Sequence, residues 1–178
     1  VDLQGKEVLP SEFLPAAERN DLLKNIDRWV IGASLSLVAQ RKPGCVFVRL
    51  SRDSVLDPSM PMWLDGQLKA SKAQPARVCF QVPEDVASSY QVQVQALARA
   101  MKKRGLRFAF ERFGAGRDPH GLLNSVPLDF IKIDGALIQG LAANPETQQR
   151  VRALVDGAKA KQILTIAERV EEANTMAV

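Results

Sequence analysis

The chain has 178 residues, 46% of them apolar and 25% charged, with a formal net charge of +4. That length and balance predict one globular domain with a sizeable core. The mild positive excess suits an anionic ligand but lacks the Lys/Arg blocks of a nucleic-acid arm, no run approaches the roughly 18 apolar residues of a membrane span, and one histidine with two unclustered cysteines offers little for a zinc site or a Ser-His-Asp triad.

From Ser11 to Arg41 the pattern predicts helix, with Leu22, Leu23, Ile26, Trp29, Val30, Ala33 and Leu37 at the three-four spacing of one buried face. Pro43 and Gly44 stop it, and Cys45 to Leu50 reads as a strand. Val55 to Ala73 is expected to be helical, Val78 to Val82 a strand, and Ala87 to Arg104 a helix stopped by Gly105. Arg107 to Glu111 reads as a strand and His120 to Ser125 as a short helix or turn. Phe130 to Ile133 is the fourth strand. Asn144 is an expected N-cap with Pro145 at the first helical position, and Ile163 to Ala167 is the fifth strand. Cys45 and Cys79 lie inside apolar runs and are expected to be buried, inert thiols.

Nearly continuous apolar strands alternating with helices predict a parallel sheet covered by helices. Each strand carries a polar residue at or near its end: Arg49, Gln81, Glu111 with Arg112, Lys132 with Asp134, and Glu168. One such residue means little, because strands end where polarity begins. Five in register favour a site, since in a closed (β/α) barrel the C-terminal strand ends share one rim. The spacings of 32 from Arg49 to Gln81 and 30 from Gln81 to Glu111 are close to the period of about 31 in a barrel of eight units. An open doubly wound sheet would also bind ligands there. Its usual Gly-rich phosphate loop has only Phe113-Gly114-Ala115-Gly116 as a candidate, without the full fingerprint.

At these positions the chain resembles the EAL family of cyclic di-GMP phosphodiesterases, over essentially its whole length. Leu9 to Glu18 resembles the family's P-x-x-F-I-P-x-A-E segment, and Ile26 to Val30 its L-D-x-W-V. Val48-Arg49-Leu50-Ser51 sits at V-N-L-S, Phe80 to Glu84 at L-E-I-T-E, and Ala109 to Gly114 at A-L-D-D-F-G. Leu128 to Asp134 matches V-D-x-L-K-I-D, and Ala167 to Glu171 matches A-E-G-V-E. The resemblance implies an α/β fold, a (β/α)8 TIM-like barrel of the EAL type over residues 1–178, here lacking the first strand and the last strands. The Glu-Ala-Leu strand itself is expected before Val1.

Active members of that family hold two divalent cations with carboxylates and one Asn. Here those positions carry Arg49, Gln81 and Arg112, while Glu84, Glu111, Lys132, Asp134 and Glu168 are retained. The resemblance therefore implies a degenerate phosphodiesterase: not an enzyme, no metal or other cofactor, and a receptor for cyclic di-GMP. Phe13, Leu14 and Pro15 would shape a guanine pocket wall, and Asp27 would accept from a guanine edge. Arg49 and Arg52 would contact phosphate or guanine, Lys132 would contact phosphate or serve as the counter-ion of Glu111, and Glu168 would hold a base or an ordered water. Trp29 and Trp63 are expected to pack in the core or between helices. Phe110 to Pro119 and Phe130 to Leu141 are most similar to the FimX-type receptors of type IV pilus systems. That likeness implies a PilZ-type adaptor as partner and a role in signal transduction to pilus assembly or twitching motility. No leader opens the chain, so a cytoplasmic location is expected, without nucleic-acid partners or membrane insertion. Weak phosphodiesterase activity and a nucleotide-independent interaction scaffold are the alternatives.

Overall fold

The computed structural model describes residues 4–171 and 173–176. Five strands, β1 (Val46–Arg49), β2 (Val78–Pro83), β3 (Arg107–Phe113), β4 (Phe130–Ile133) and β5 (Leu164–Ala167), form one sheet. Every pair is parallel and the order follows the chain, β1-β2-β3-β4-β5. A doubly wound sheet reverses its strand order at a switch point. The unbroken order seen here is that of a barrel wall.

Side-chain alternation separates two faces. Val48, Phe80, Phe108, Phe110, Ile131 and Ile133 join the large core under the helices. Phe47, Cys79, Ala109, Phe130 and Ile166 form a second cluster on the other face. Phe47 of β1 and Phe130 of β4 meet edge to face with ring centroids 5.2 Å apart. In a flat sheet, strands three places apart would be separated by about 14 Å. The sheet is therefore curled, with this second face turned inward as a barrel interior.

Ten helices accompany the strands among the described residues: α1 (Pro10–Arg19), α2 (Leu23–Arg41), α3 (Arg52–Val55), α4 (Met60–Ser71), α5 (Glu84–Ser89), α6 (Gln91–Lys103), α7 (Pro119–Ser125), α8 (Gly135–Ile138), α9 (Pro145–Lys159) and α10 (Ala173–Met176). The helix expected over Ser11–Arg41 is two helices, broken where Asp21 takes a left-handed φ of 56°. The one expected over Val55–Ala73 is interrupted at Leu56–Ser59, where Pro58 supplies no backbone donor. The one expected over Ala87–Arg104 starts earlier, at Glu84, and is broken at Tyr90, whose φ of −129° leaves the helical range. Asn144 caps α9 by accepting from the Thr147 N–H at 3.0 Å, as its position before Pro145 predicts.

The buried face of α2 is also corrected. Ile31, Leu35 and Val38 face the sheet, whereas Trp29 is 74% exposed and Leu22 and Leu37 are exposed too. The helix carries two apolar stripes, and periodicity does not say which one the sheet takes. Trp63 does pack against the core, with the Arg28 guanidinium 5.2 Å from its ring centroid. Cys79 is buried and Cys45 half-buried; both are free, and burial raises both thiol pKa values. Among the described residues, no helix is long and apolar enough to cross a membrane.

Candidate functional site at the strand C-termini

The period of two that builds the barrel interior also builds its rim. Arg49, Gln81, Glu111, Lys132 and Glu168 each lie two residues beyond an interior apolar residue: Phe47, Cys79, Ala109, Phe130 and Ile166. They therefore emerge on the inner side, at the C-terminal ends of the strands.

Glu111 is the hub. It is buried, and Gln81 Nε2 donates to its Oε2 at 2.6 Å. Arg49 Nε lies 2.8 Å from its Oε1, an ion pair not aligned as a hydrogen bond. Burial raises the Glu111 pKa, the charges of Arg49, Arg112 and Lys132 lower it, and Glu168 raises it. Because a carboxylate can only accept, Gln81 must turn its amide nitrogen toward Glu111. Its Oε1 is left buried without a partner. The Lys132 ammonium lies 4.2 Å from the Phe47 ring centroid, across the interior.

Divalent cations of the magnesium type need several oxygen donors free to converge. Here the Glu111 carboxylate is engaged by a guanidinium and an amide, and the neighbouring interior positions carry Arg49 and Lys132. Among the described residues, no group of three or more His, Cys, Asp or Glu side chains is placed to hold a metal ion. What converges on the Glu111 carboxylate is thus a guanidinium and an amide nitrogen rather than further carboxylates.

The other sequence-selected residues fall into three places. Asp27, on α2, accepts from the Ser51 N–H at 2.8 Å and from the Ser51 hydroxyl at 2.6 Å through Oδ2. It thus ties α2 to the β1–α3 corner, whose N-cap is Ser51 itself. Arg52 leaves that corner toward solvent and pairs with its neighbour Asp53 through Nε at 3.1 Å and a terminal nitrogen at 3.0 Å. Phe13, Leu14 and Pro15 sit on α1 and are exposed. The structure gathers Arg49, Lys132 and Glu168 around Glu111, anchors Asp27 beside Arg49 through Ser51, and leaves Arg52 and the Phe13–Pro15 segment at the surface.

The residues that sequence reasoning missed are in the β3–α7 loop. Glu84 Oε2 accepts from the N–H groups of Gly114 and Gly116 at 3.0 and 2.9 Å. Arg112 takes a left-handed φ of 51°, a conformation costing of the order of 1–3 kcal/mol in a non-glycine residue. The β3–β4 register shifts between Phe110 and Phe113, so the loop begins in a bulge. The two glycines spaced around Ala115 were the available signal. In the sequence they read as part of a phosphate fingerprint, whereas in the fold their N–H groups donate to Glu84. Asp134 caps α8 by accepting from the Ala136 N–H at 2.8 Å.

Comparison with known proteins agrees with this architecture: the EAL domain family matches residues 1–178. The chain belongs to the EAL domain family. It is 32% identical over 171 residues to the cyclic di-GMP phosphodiesterase PdeB of Shewanella oneidensis, covering 94% of this chain and 20% of that protein. It is 30% identical over 168 residues to the cyclic di-GMP phosphodiesterase PdeF of Escherichia coli, covering 92% and 22%. This EAL domain thus spans about a fifth of the length of those relatives. Among solved structures it is similar to the FimX EAL domain of Pseudomonas aeruginosa bound to c-di-GMP, with a TM-score of 0.91 at 36% identity, covering 98% of this chain and 72% of that one.

These relatives overturn one expectation. The substitutions at Arg49, Gln81 and Arg112 imply, from sequence, a chain that is not an enzyme. Two relatives matching over more than nine-tenths of this EAL domain are named phosphodiesterases. Substitution alters the charges of the rim without emptying it, since Glu84, Glu111, Lys132 and Glu168 remain there.

Proposed function

We propose that this EAL domain is a cyclic di-GMP receptor, binding the dinucleotide across the rim formed by the ends of β1 to β5. The observation that carries this is the Arg49–Glu111 pair, which fixes a guanidinium at the rim with its side chain still 56% exposed. An exposed guanidinium held from one side offers its other N–H groups to a phosphodiester oxygen. Lys132 and Arg52 add positive charge, Glu168 and Asp27 supply acceptors for guanine N–H groups, and Phe13, Leu14 and Pro15 supply apolar surface. The FimX EAL domain of Pseudomonas aeruginosa, solved with c-di-GMP, supports the choice of ligand. Binding needs no divalent cation, because Arg49 supplies the positive charge at Glu111.

The likeness to FimX supports a finer proposal: the domain signals to type IV pilus assembly or twitching motility through a PilZ-type adaptor. A second reading, hydrolysis of the phosphodiester, is favoured by the names of PdeB and PdeF. Isothermal calorimetry with cyclic di-GMP, with and without EDTA, tests the receptor. Chromatography of the same samples after incubation with Mg²⁺ or Mn²⁺ tests hydrolysis, the linear dinucleotide being the product that would establish it.

A further inference from the structure

The β3–α7 loop is gripped from two sides at one residue. Glu84 takes the Gly114 N–H from the β2 side. Arg150, in the first turns of α9, donates to the Gly114 carbonyl from the other. One turn further along α9, Leu154 closes against the same glycine, so a Cβ there would collide with it. Gly114 adopts a φ of +101°, which L side chains rarely take. Helix α9 thus both packs the loop and ties it.

Two residues before this grip stands Arg112, lining an open cavity of about 290 Å³ with Glu84, Asp85, Ala115, Gly116 and Asp134. Among the described residues it pairs with Asp85 at 3.3 Å, between side chains 50% and 74% exposed. An exposed pair of that kind contributes little and does not fix a side chain. What places Arg112 is its left-handed backbone, and that backbone is held by the loop anchors. The guanidinium is close enough to Glu111 for its charge to act there, together with those of Arg49 and Lys132.

We infer that Arg150 is a positioning residue of the ligand-binding rim, holding the Gly114 carbonyl so that Arg112 presents its guanidinium to a phosphodiester of the bound nucleotide. This rests on the cyclic di-GMP reading above. It adds two residues to the site, one that contacts the anion and one that acts through the loop.

The test is calorimetry with cyclic di-GMP on the full chain, comparing wild type, Arg112→Ala, Arg150→Ala, Arg150→Lys and the Arg112→Ala/Arg150→Ala double variant, with a melting temperature for each. A positioning role predicts that Arg150→Ala weakens binding about tenfold, that Arg150→Lys, which keeps a donor, recovers most of the loss, and that Arg150→Ala costs nothing more once Arg112 is gone. A merely structural role moves the melting temperature instead. An unchanged affinity in Arg150→Ala, or an equal loss with and without Arg112, overturns the inference while leaving the receptor intact. Wild type giving no binding heat overturns the receptor reading, and the inference with it.

Discussion

Arg49 and Glu111 sit on β1 and β3, strands that do not touch, and their side chains meet at 2.8 Å over the end of β2. Gln81, on the strand between them, donates to the same carboxylate at 2.6 Å. Three adjacent strands therefore converge on one buried acid at the point where the barrel interior opens. An exposed arginine gains a fixed direction from this. A buried acid gains partial compensation for its desolvation.

That compensation is incomplete, because burial is the largest influence on Glu111 and raises its pKa. A carboxyl with a raised folded-state pKa contributes stability that is fully present below its unfolded value and is lost as the pH rises through its folded value. Glu111→Gln removes this dependence and keeps an acceptor for Gln81. Thermal melts from pH 4 to pH 7 should show the variant gaining on wild type as the pH rises. A difference constant across that range would mean that Glu111 titrates normally.

The Asp27–Ser51 contact makes a second prediction. Ser51→Ala removes the α3 cap and should cost about 1 kcal/mol. Asp27→Ala strands the Ser51 N–H and should cost roughly 1–3 kcal/mol. Since both delete the bond from the Ser51 hydroxyl to Asp27, urea denaturation of the double variant should show less than the summed loss. Full additivity would mean that the two side chains stabilise the corner independently.

Glycine positions separate two backbone demands. Gly114→Ala meets both a φ of +101° and Leu154, and should destabilise by about 2 kcal/mol or more. Gly32→Ala, inside α2 with nothing within 4 Å of the new methyl, should stabilise by about 0.5–1 kcal/mol. A melting temperature that Gly114→Ala leaves unchanged or raises would contradict the loop geometry, and one that Gly32→Ala lowers would contradict the open helix face.

These cases show what the sequence makes legible. The strands are evident because a parallel sheet buries both faces, so Val46–Arg49, Val78–Pro83 and Phe130–Ile133 are dense in apolar residues. The rim is evident because polarity arrives at the same point of each strand. The Arg49–Glu111 pair is not, because it depends on the curl of the sheet, which appears only when Phe47 and Phe130 are seen in contact. The inward face of α2 is illegible for a similar reason: the Trp29–Ala33–Leu37 and Ile31–Leu35–Val38 stripes are equally helical. Arg150 carries no signature, since its partner is a backbone carbonyl 36 residues away.

The most direct test of the central claim, that cyclic di-GMP is held at this rim by Arg49 without a divalent cation, is a calorimetric titration in excess EDTA of wild type and Arg49→Ala. The account predicts a binding isotherm for wild type that EDTA leaves unchanged. It also predicts a loss of about 2 kcal/mol, roughly thirtyfold in affinity, for Arg49→Ala, the worth of a charge-assisted hydrogen bond. Binding that disappears with EDTA, or that Arg49→Ala leaves intact, would contradict it.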